Sequence, residues 1–334
     1  MLLFLQKKKT FFSSFLPDAP HLHAILTVAF PIFALIGLGW LGGRLRLLGP
    51  HGTAALNGFV TWFALPAMLF TALARVRLEE ILNLSFVVVF GGSMFATYLA
   101  GMLAARLVAR AGLAHMSLHG LAAAFGNTGY MGIPLCIAAF GPQGALPATL
   151  AVVLGAAGLM TLALVVAEFG GDNPPASRAA ALARVAGAVA RSPIIQAVAL
   201  GMLVSALALP IPAPIQRFLD LLASAAGPCA LFAIGHFLSE QAIGREWREV
   251  GWATFGKVVL QPALALALLA VVPPMDDMWM KSALLLAALP SAANCFVLAR
   301  EYDRFVAGAS ATILLSTVAS VFTVSALVVV LRIG

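Results

Sequence analysis

The sequence predicts an all-α polytopic membrane protein of ten transmembrane helices, arranged as two inverted five-helix repeats with the fourth and ninth helices broken. Three observations predict it. Of the 334 residues, 62% are hydrophobic and 10% charged, with mean hydropathy +1.01, so lipid rather than water is the solvent for most side chains. Two apolar stretches are interrupted by helix breakers at corresponding places in the two halves, Gly126-Asn127-Thr128-Gly129-Tyr130-Met131-Gly132-Ile133-Pro134 and Ala288-Leu289-Pro290-Ser291-Ala292-Ala293-Asn294. Prolines also recur in register: Pro31 with Pro193 and Pro66 with Pro228, both 162 positions apart, then Pro134 with Pro290 at 156.

A bilayer is spanned by roughly 20 apolar residues in a helix. On that ruler the candidate spans lie near 22–42, 54–74, 84–108, 117–140, 145–168, 193–209, 216–238, 250–272, 281–300 and 306–331. A closed β-barrel would instead show alternating segments of about ten residues. The chain divides into a tail at 1–20, a first repeat at 21–168, a linker at 169–192 and a second repeat at 193–334. Because five spans is an odd number, the second repeat enters the membrane from the opposite side. The tail, with Lys7-Lys8-Lys9 after its first apolar run, lacks the order of a signal peptide and is expected to be loose or to precede the true start.

The formal charge of +7 does not point to nucleic acid, because the basic residues are spread over short loops. Loops after spans 1, 3, 5, 7 and 9 hold about twelve of the twenty Lys and Arg, among them Arg44, Arg110, Arg191, Arg248 and Arg304. The positive-inside rule then puts both termini on the non-cytoplasmic side of the cytoplasmic membrane. Cys136, Cys229 and Cys295 lie in separate spans and suggest neither disulfides nor a metal site. No Ser-His, paired Asp or His-Glu-x-x-His arrangement supports an enzyme, no P-loop supports a pump, and no cofactor is expected.

At the breaks, glycines allow backbone geometry closed to other residues, and proline favours the first turn of a new helix. Unwound backbone at membrane depth belongs in the protein interior or against a water-filled cavity. If the two breaks cross, two half-helix N-termini converge and hold a carboxylate without Arg or Lys. Asn127, Thr128 and Tyr130, with Ser291 and Asn294 opposite, are neutral donors for that role; satisfying backbone groups freed by proline is the alternative. No Asp or Glu lies near the middle of a span, which disfavours a cation substrate. His236 and Glu240, one turn apart, read first as an interfacial pair and alternatively as candidates for sharing a coupling proton. Lys257 is expected to snorkel to the cytoplasmic surface, with drawing anions toward the site as the alternative.

These motifs resemble the auxin efflux carrier family, which holds bacterial organic-acid permeases and plant PIN-type carriers. The resemblance rests on Asn127-Thr128-x-x-Met131-Gly132-Ile133-Pro134-Leu135 with Gly141, on Ala288-Leu289-Pro290-x5-Phe296-Val297-x-Ala299-Arg300-Glu301-Tyr302, and on Asn57-x-Phe59-Val60-x-x-Phe63-Ala64-x-Pro66. It implies crossing helices 4 and 9 in an architecture like that of bile-acid symporters and sodium-proton antiporters, with scaffold and transport domains. The implied site is Asn127, Thr128, Gly129, Tyr130, Gly132, Pro134, Pro290, Ser291 and Asn294. It further implies an elevator movement, a homodimer through the scaffold, and proton or sodium as possible coupling ion. The functional expectation is a secondary transporter of mono- or dicarboxylates such as malonate or malate. The alternative is a membrane-embedded ligand sensor that keeps a transporter fold.

Overall fold

The computed structural model describes residues 25–49, 51–75, 83–170, 186–187, 190–241 and 246–333. The tail at 1–20 and most of the linker lie outside the described residues. Every named element is helical: α1 Leu26–Arg44, α2 Gly52–Ala74, α3 Leu84–Ala109, α4 Leu113–Ala124, α5 Thr128–Phe140, α6 Pro142–Gly170, α7 Pro193–Ala206, α8 Ala213–Ser239, α9 Trp247–Leu269, α10 Asp277–Ala287, α11 Asn294–Glu301 and α12 Val306–Val330. Seven of them, α1, α2, α3, α6, α8, α9 and α12, are long and apolar enough to cross a bilayer. The predicted span 6 is the shorter α7, and spans 4 and 9 are each in two pieces, α4 with α5 and α10 with α11.

Span 4 restarts in two steps. A widened π-type turn over Thr128–Gly132 leads into regular α-helix over Ile133–Phe140, and Pro134 stands in the first turn of that helix, where a residue without an N–H costs no hydrogen bond. Span 9 breaks where expected, between Ala287 and Asn294.

Helices pack in two groups. In one, α1 lies along α8 while α2 contacts both α7 and α8; in the other, α4 is flanked by α3 and α6, with α9 touching α3, α4 and α12. Lipid tails are as apolar as leucine, so helix association rests on close van der Waals approach, which small residues permit. Along the α1–α8 seam a Cβ added at Gly39 would strike the Phe232 carbonyl, and one at Gly235 would strike that of Ile36. Between α3 and α4, a Cβ added at Gly101 would stand 2.9 Å from Gly120 Cα, and one at Gly120 would stand 2.6 Å from the Tyr98 carbonyl. The outward faces carry exposed apolar side chains such as Leu38, Trp62, Leu107, Leu221 and Phe322, as a lipid-facing surface requires.

The α1–α8 seam yields a stability prediction. Gly39→Val forces the two backbones apart and is expected to cost about 1–3 kcal/mol, the usual range for overpacking. It lowers the thermal unfolding midpoint in detergent, whereas Gly37→Ala on the same helix, where an added Cβ meets nothing within 4 Å, serves as the tolerant control.

Candidate functional site

The two breaks meet. Phe125 to Asn127 and Pro290 to Ala292 run antiparallel, with Asn127 N–H donating to the Pro290 carbonyl at 2.8 Å and Ala292 N–H to that of Phe125 at 3.0 Å. This short bridge between Gly126 and Ser291 brings together the C-termini of α4 and α10 and the N-termini of α5 and α11. Four helix ends in a low-dielectric interior leave many backbone groups that must find partners or water.

Several find them nearby. Ser291, 1% exposed, donates its hydroxyl to the Ala122 carbonyl at 2.6 Å, and its N–H donates to Ser316 Oγ at 3.0 Å. The Asn127 carbonyl receives both Met131 N–H and Gly132 N–H, at 3.1 and 3.0 Å. Lys257 does not snorkel: its side chain is 0% exposed, and Nζ donates to Gln261 Oε1 at 2.6 Å and to the Ala287 carbonyl, the last of α10, at 2.7 Å. A long flexible side chain next to an unsatisfied helix C-terminus finds acceptors inward and has no need to reach the interface. Lys257 thus caps α10 and lies directly behind Gly126, where an added Cβ would stand 3.3 Å from Nζ.

Other groups remain open. Among the described residues no backbone acceptor serves the N–H groups of Gly129 and Tyr130 at the start of α5, nor those of Ala293 and Asn294 at the start of α11. The side chains of Asn127, Thr128 and Asn294 likewise make no hydrogen bond among the described residues. These residues line a cavity of about 60 Å³ closed by Leu65, Val152, Ala156 and Ile194, room for a few waters or one small polar group. Tyr130 also lines it, its hydroxyl hydrogen-bonded to Thr61 Oγ1 of α2 at 2.8 Å. No carboxylate stands among the lining residues. The lining is therefore rich in neutral donors, with the basic Lys257 one backbone thickness away.

Of the nine predicted site residues, Asn127, Thr128, Gly129, Tyr130 and Asn294 come together around this cavity. The other four do not line it. Pro290 contributes its carbonyl and Ser291 its hydroxyl to the bridge; Gly132 packs on Leu286 and Leu289, and Pro134 lies against Gly227 of α8. His236 and Glu240 sit elsewhere, beside a separate cavity of about 540 Å³ that Arg44 and Arg46 also line. There His236 Nδ1 is 2.5 Å from Thr53 Oγ1 and 3.6 Å from Glu240 Oε1. Sequence reading missed Gln261 and Thr61, whose only signal is a polar residue within an apolar span.

A helical membrane protein with two interrupted helices joined at mid-chain breaks, and a small donor-lined cavity at the junction, has the form of a membrane carrier. The profile of the family described as membrane transport protein matches residues 24–328, and the chain belongs to this family, which bears out the resemblance to the auxin efflux carriers. It is 35% identical over 312 residues to a Rhizobium meliloti protein named "Putative malonate transporter", covering 93% of this chain and 97% of that one. It is 25% identical over 303 residues to the uncharacterized transporter YfdV of Escherichia coli K12, covering 88% and 93% respectively. An uncharacterized transporter of Methanothermobacter thermautotrophicus is 26% identical over 291 residues.

Ser291→Ala removes a buried donor and leaves the Ala122 carbonyl without it, so thermal unfolding in detergent should report a loss of about 1–3 kcal/mol. Asn127→Ala, which breaks no side-chain bond, should leave that midpoint nearly unmoved.

Proposed function

We propose that the protein is a secondary transporter of small organic acid anions across the cytoplasmic membrane, with malonate as the first substrate to test. The observation that carries the reading is the donor set in one cavity: four free N–H groups from the starts of α5 and α11, joined by the side chains of Asn127, Thr128 and Asn294. Helix N-termini favour negative charge, each worth roughly half an elementary charge, and their N–H groups hold a carboxylate without a charged side chain. Lys257, behind Gly126, adds a basic group one backbone thickness from the cavity. The name of the Rhizobium meliloti relative supplies the choice of malonate.

In this reading the chain forms ten spans as two inverted five-helix repeats, with α4/α5 and α10/α11 as the fourth and ninth. The group built on α1, α2, α7 and α8 is the scaffold and the site of dimerisation; the group built on α3, α4, α6 and α9 to α12 carries the substrate in an elevator movement. Both termini face away from the cytoplasm. Proton or sodium coupling sets the direction of net movement, and voltage alone suffices for export, at about 2.3 kcal/mol per charge for each 100 mV.

Labelled malonate, malate and indole-3-acetate, presented to proteoliposomes under imposed voltage, proton and sodium gradients, test the proposal. Saturable malonate flux that follows a gradient is the expected result; specific binding with no flux under any gradient points instead to a sensor that keeps the fold. Asn127→Ala and Asn294→Ala each remove hydrogen bonds to a charged ligand and should weaken malonate binding by about tenfold or more, since such bonds contribute roughly 1.5–3 kcal/mol. Unchanged affinity in both variants sinks the assignment of these side chains.

A further inference from the structure

Away from the crossing, two histidines and a glutamate gather where α4 begins against α9. His119 is wholly buried, and both of its ring nitrogens face carbonyl oxygens: Nδ1 stands 2.8 Å from Gly101 O of α3, and Nε2 3.0 Å from Glu249 O of α9. A neutral imidazole has one N–H to give, so both bonds form only when the ring carries two protons. One turn earlier, His115 Nε2 lies 2.6 Å from the Glu249 carboxylate, whose side chain is 12% exposed. Two imidazoles and one carboxylate thus share an enclosed space in which charge is costly unless paired.

Phe305 closes this space. Its ring centroid is 5.3 Å from that of His115 and 5.0 Å from that of His119, and its backbone adopts φ +56°, a left-handed conformation uncommon for a bulky residue. Gly308 leaves the room that the ring fills, since a Cβ there would lie on the ring. Strain of this kind persists only where the surroundings enforce it and gathers at functional positions.

The charged groups facing His119 are Glu249 of α9 and His115 of its own helix. Ionisable side chains on the other packed elements turn to other partners. Tyr98 of α3 is bonded to Ser117 and Glu168 of α6 receives Tyr302 OH, while Arg300 of α11 lies over Phe296 and Lys257 faces Gln261 and Ala287. Arg106 of α3, and Asp303 with Arg304 in the α11–α12 turn, engage backbone carbonyls or lie exposed, and α12 carries no ionisable residue.

The cluster and the crossing stand at two ends of one helix pair. His119 precedes Gly126 by seven residues and Glu249 precedes Lys257 by eight, a distance of roughly 10–12 Å at 1.5 Å per residue. Between them α4 and α9 touch closely, with the Cβ position of Gly256 3.1 Å from Ala123 Cβ, and at the far end Lys257 meets Gly126. A change in how α9 is held at Glu249 therefore reaches the cap on α10 through a packed, continuous pair.

We propose that His119, with His115 and Glu249, binds a proton that is linked to substrate binding at the crossing, so that the anion moves together with a proton. Release of that proton breaks one of the two carbonyl bonds and loosens α4 from α3 or α9. The linkage rests on the carrier reading above; the protonation of His119 does not.

Two measurements separate these. Nitrogen-15 NMR of histidine-labelled protein in detergent near neutral pH, assigned with His119→Gln, reads the ring directly: two protonated nitrogens are expected, and a neutral ring overturns the site whatever substrate binds. In proteoliposomes, malonate uptake with and without an inward proton gradient is compared; the gradient's stimulation is expected to be about fivefold or more in the wild type and to vanish in His119→Gln. Stimulation that survives in His119→Gln and disappears in His236→Gln overturns the assignment in favour of the other histidine. Should His119→Gln fail to fold, Glu249→Gln keeps both carbonyl acceptors and removes the carboxylate, and undiminished stimulation in that variant overturns the proposal. Absence of malonate binding and flux in the wild type refutes the carrier reading and with it the linkage, while the NMR result still decides the proton.

Discussion

Two backbone hydrogen bonds between Phe125–Asn127 and Pro290–Ala292 organise the centre of this protein. In a bilayer interior an unsatisfied amide costs several kcal/mol, so a chain that breaks two helices at membrane depth must settle every freed group. The bridge settles two donors and two acceptors and fixes the two breaks against each other. The side chains of Ser291, Ser316 and Lys257 settle further groups around it. What remains is a small remainder of donors on one side of the junction, and that remainder is the cavity. The site is thus the part of the helix-end problem that the protein leaves for a ligand or water to complete.

The same junction explains the placement of the small residues. α4 is held between α3 and α9 by contacts that leave no room for larger side chains at Gly101, Gly120 and Gly256, so its broken end is presented to the crossing by rigid neighbours. In the other helix group the glycine seam of α1 and α8 plays the equivalent part. Neither seam depends on the hydrophobic effect, which has no purchase between helices already solvated by lipid. Backbone proximity replaces it.

Much of this was legible in the order of residues, and the limits have physical causes. The apolar stretches announce themselves by length, seven of them as helices long enough to cross a bilayer among the described residues, and the breaks by glycine and proline. Asn127, Thr128 and Asn294 stood out because neutral amides and hydroxyls are uncommon beside helix breakers in an apolar span. Pro134 marks the first turn of regular helix, but the widened turn at Thr128–Gly132 before it is set by how the freed carbonyls find donors and leaves no mark in the residue pattern. Lys257 was read as an interfacial lysine because sequence shows its distance from the end of a span but not the helix C-terminus that lies across from it. His115 and His119 give no sign of Glu249, which lies 130 or more residues further along the chain and meets them only through the packing of α4 on α9.

The open donors at the crossing are mostly main-chain groups, so point mutation cannot easily delete them. Divergence is therefore free to act on the walls: the side chains of Leu65, Val152, Ala156 and Ile194 bound the cavity without contributing to the bridge. A handful of apolar replacements can therefore reshape the cavity while the bridge and its open main-chain donors stay intact, so chains built on this junction can look alike at the breaks while their cavities differ.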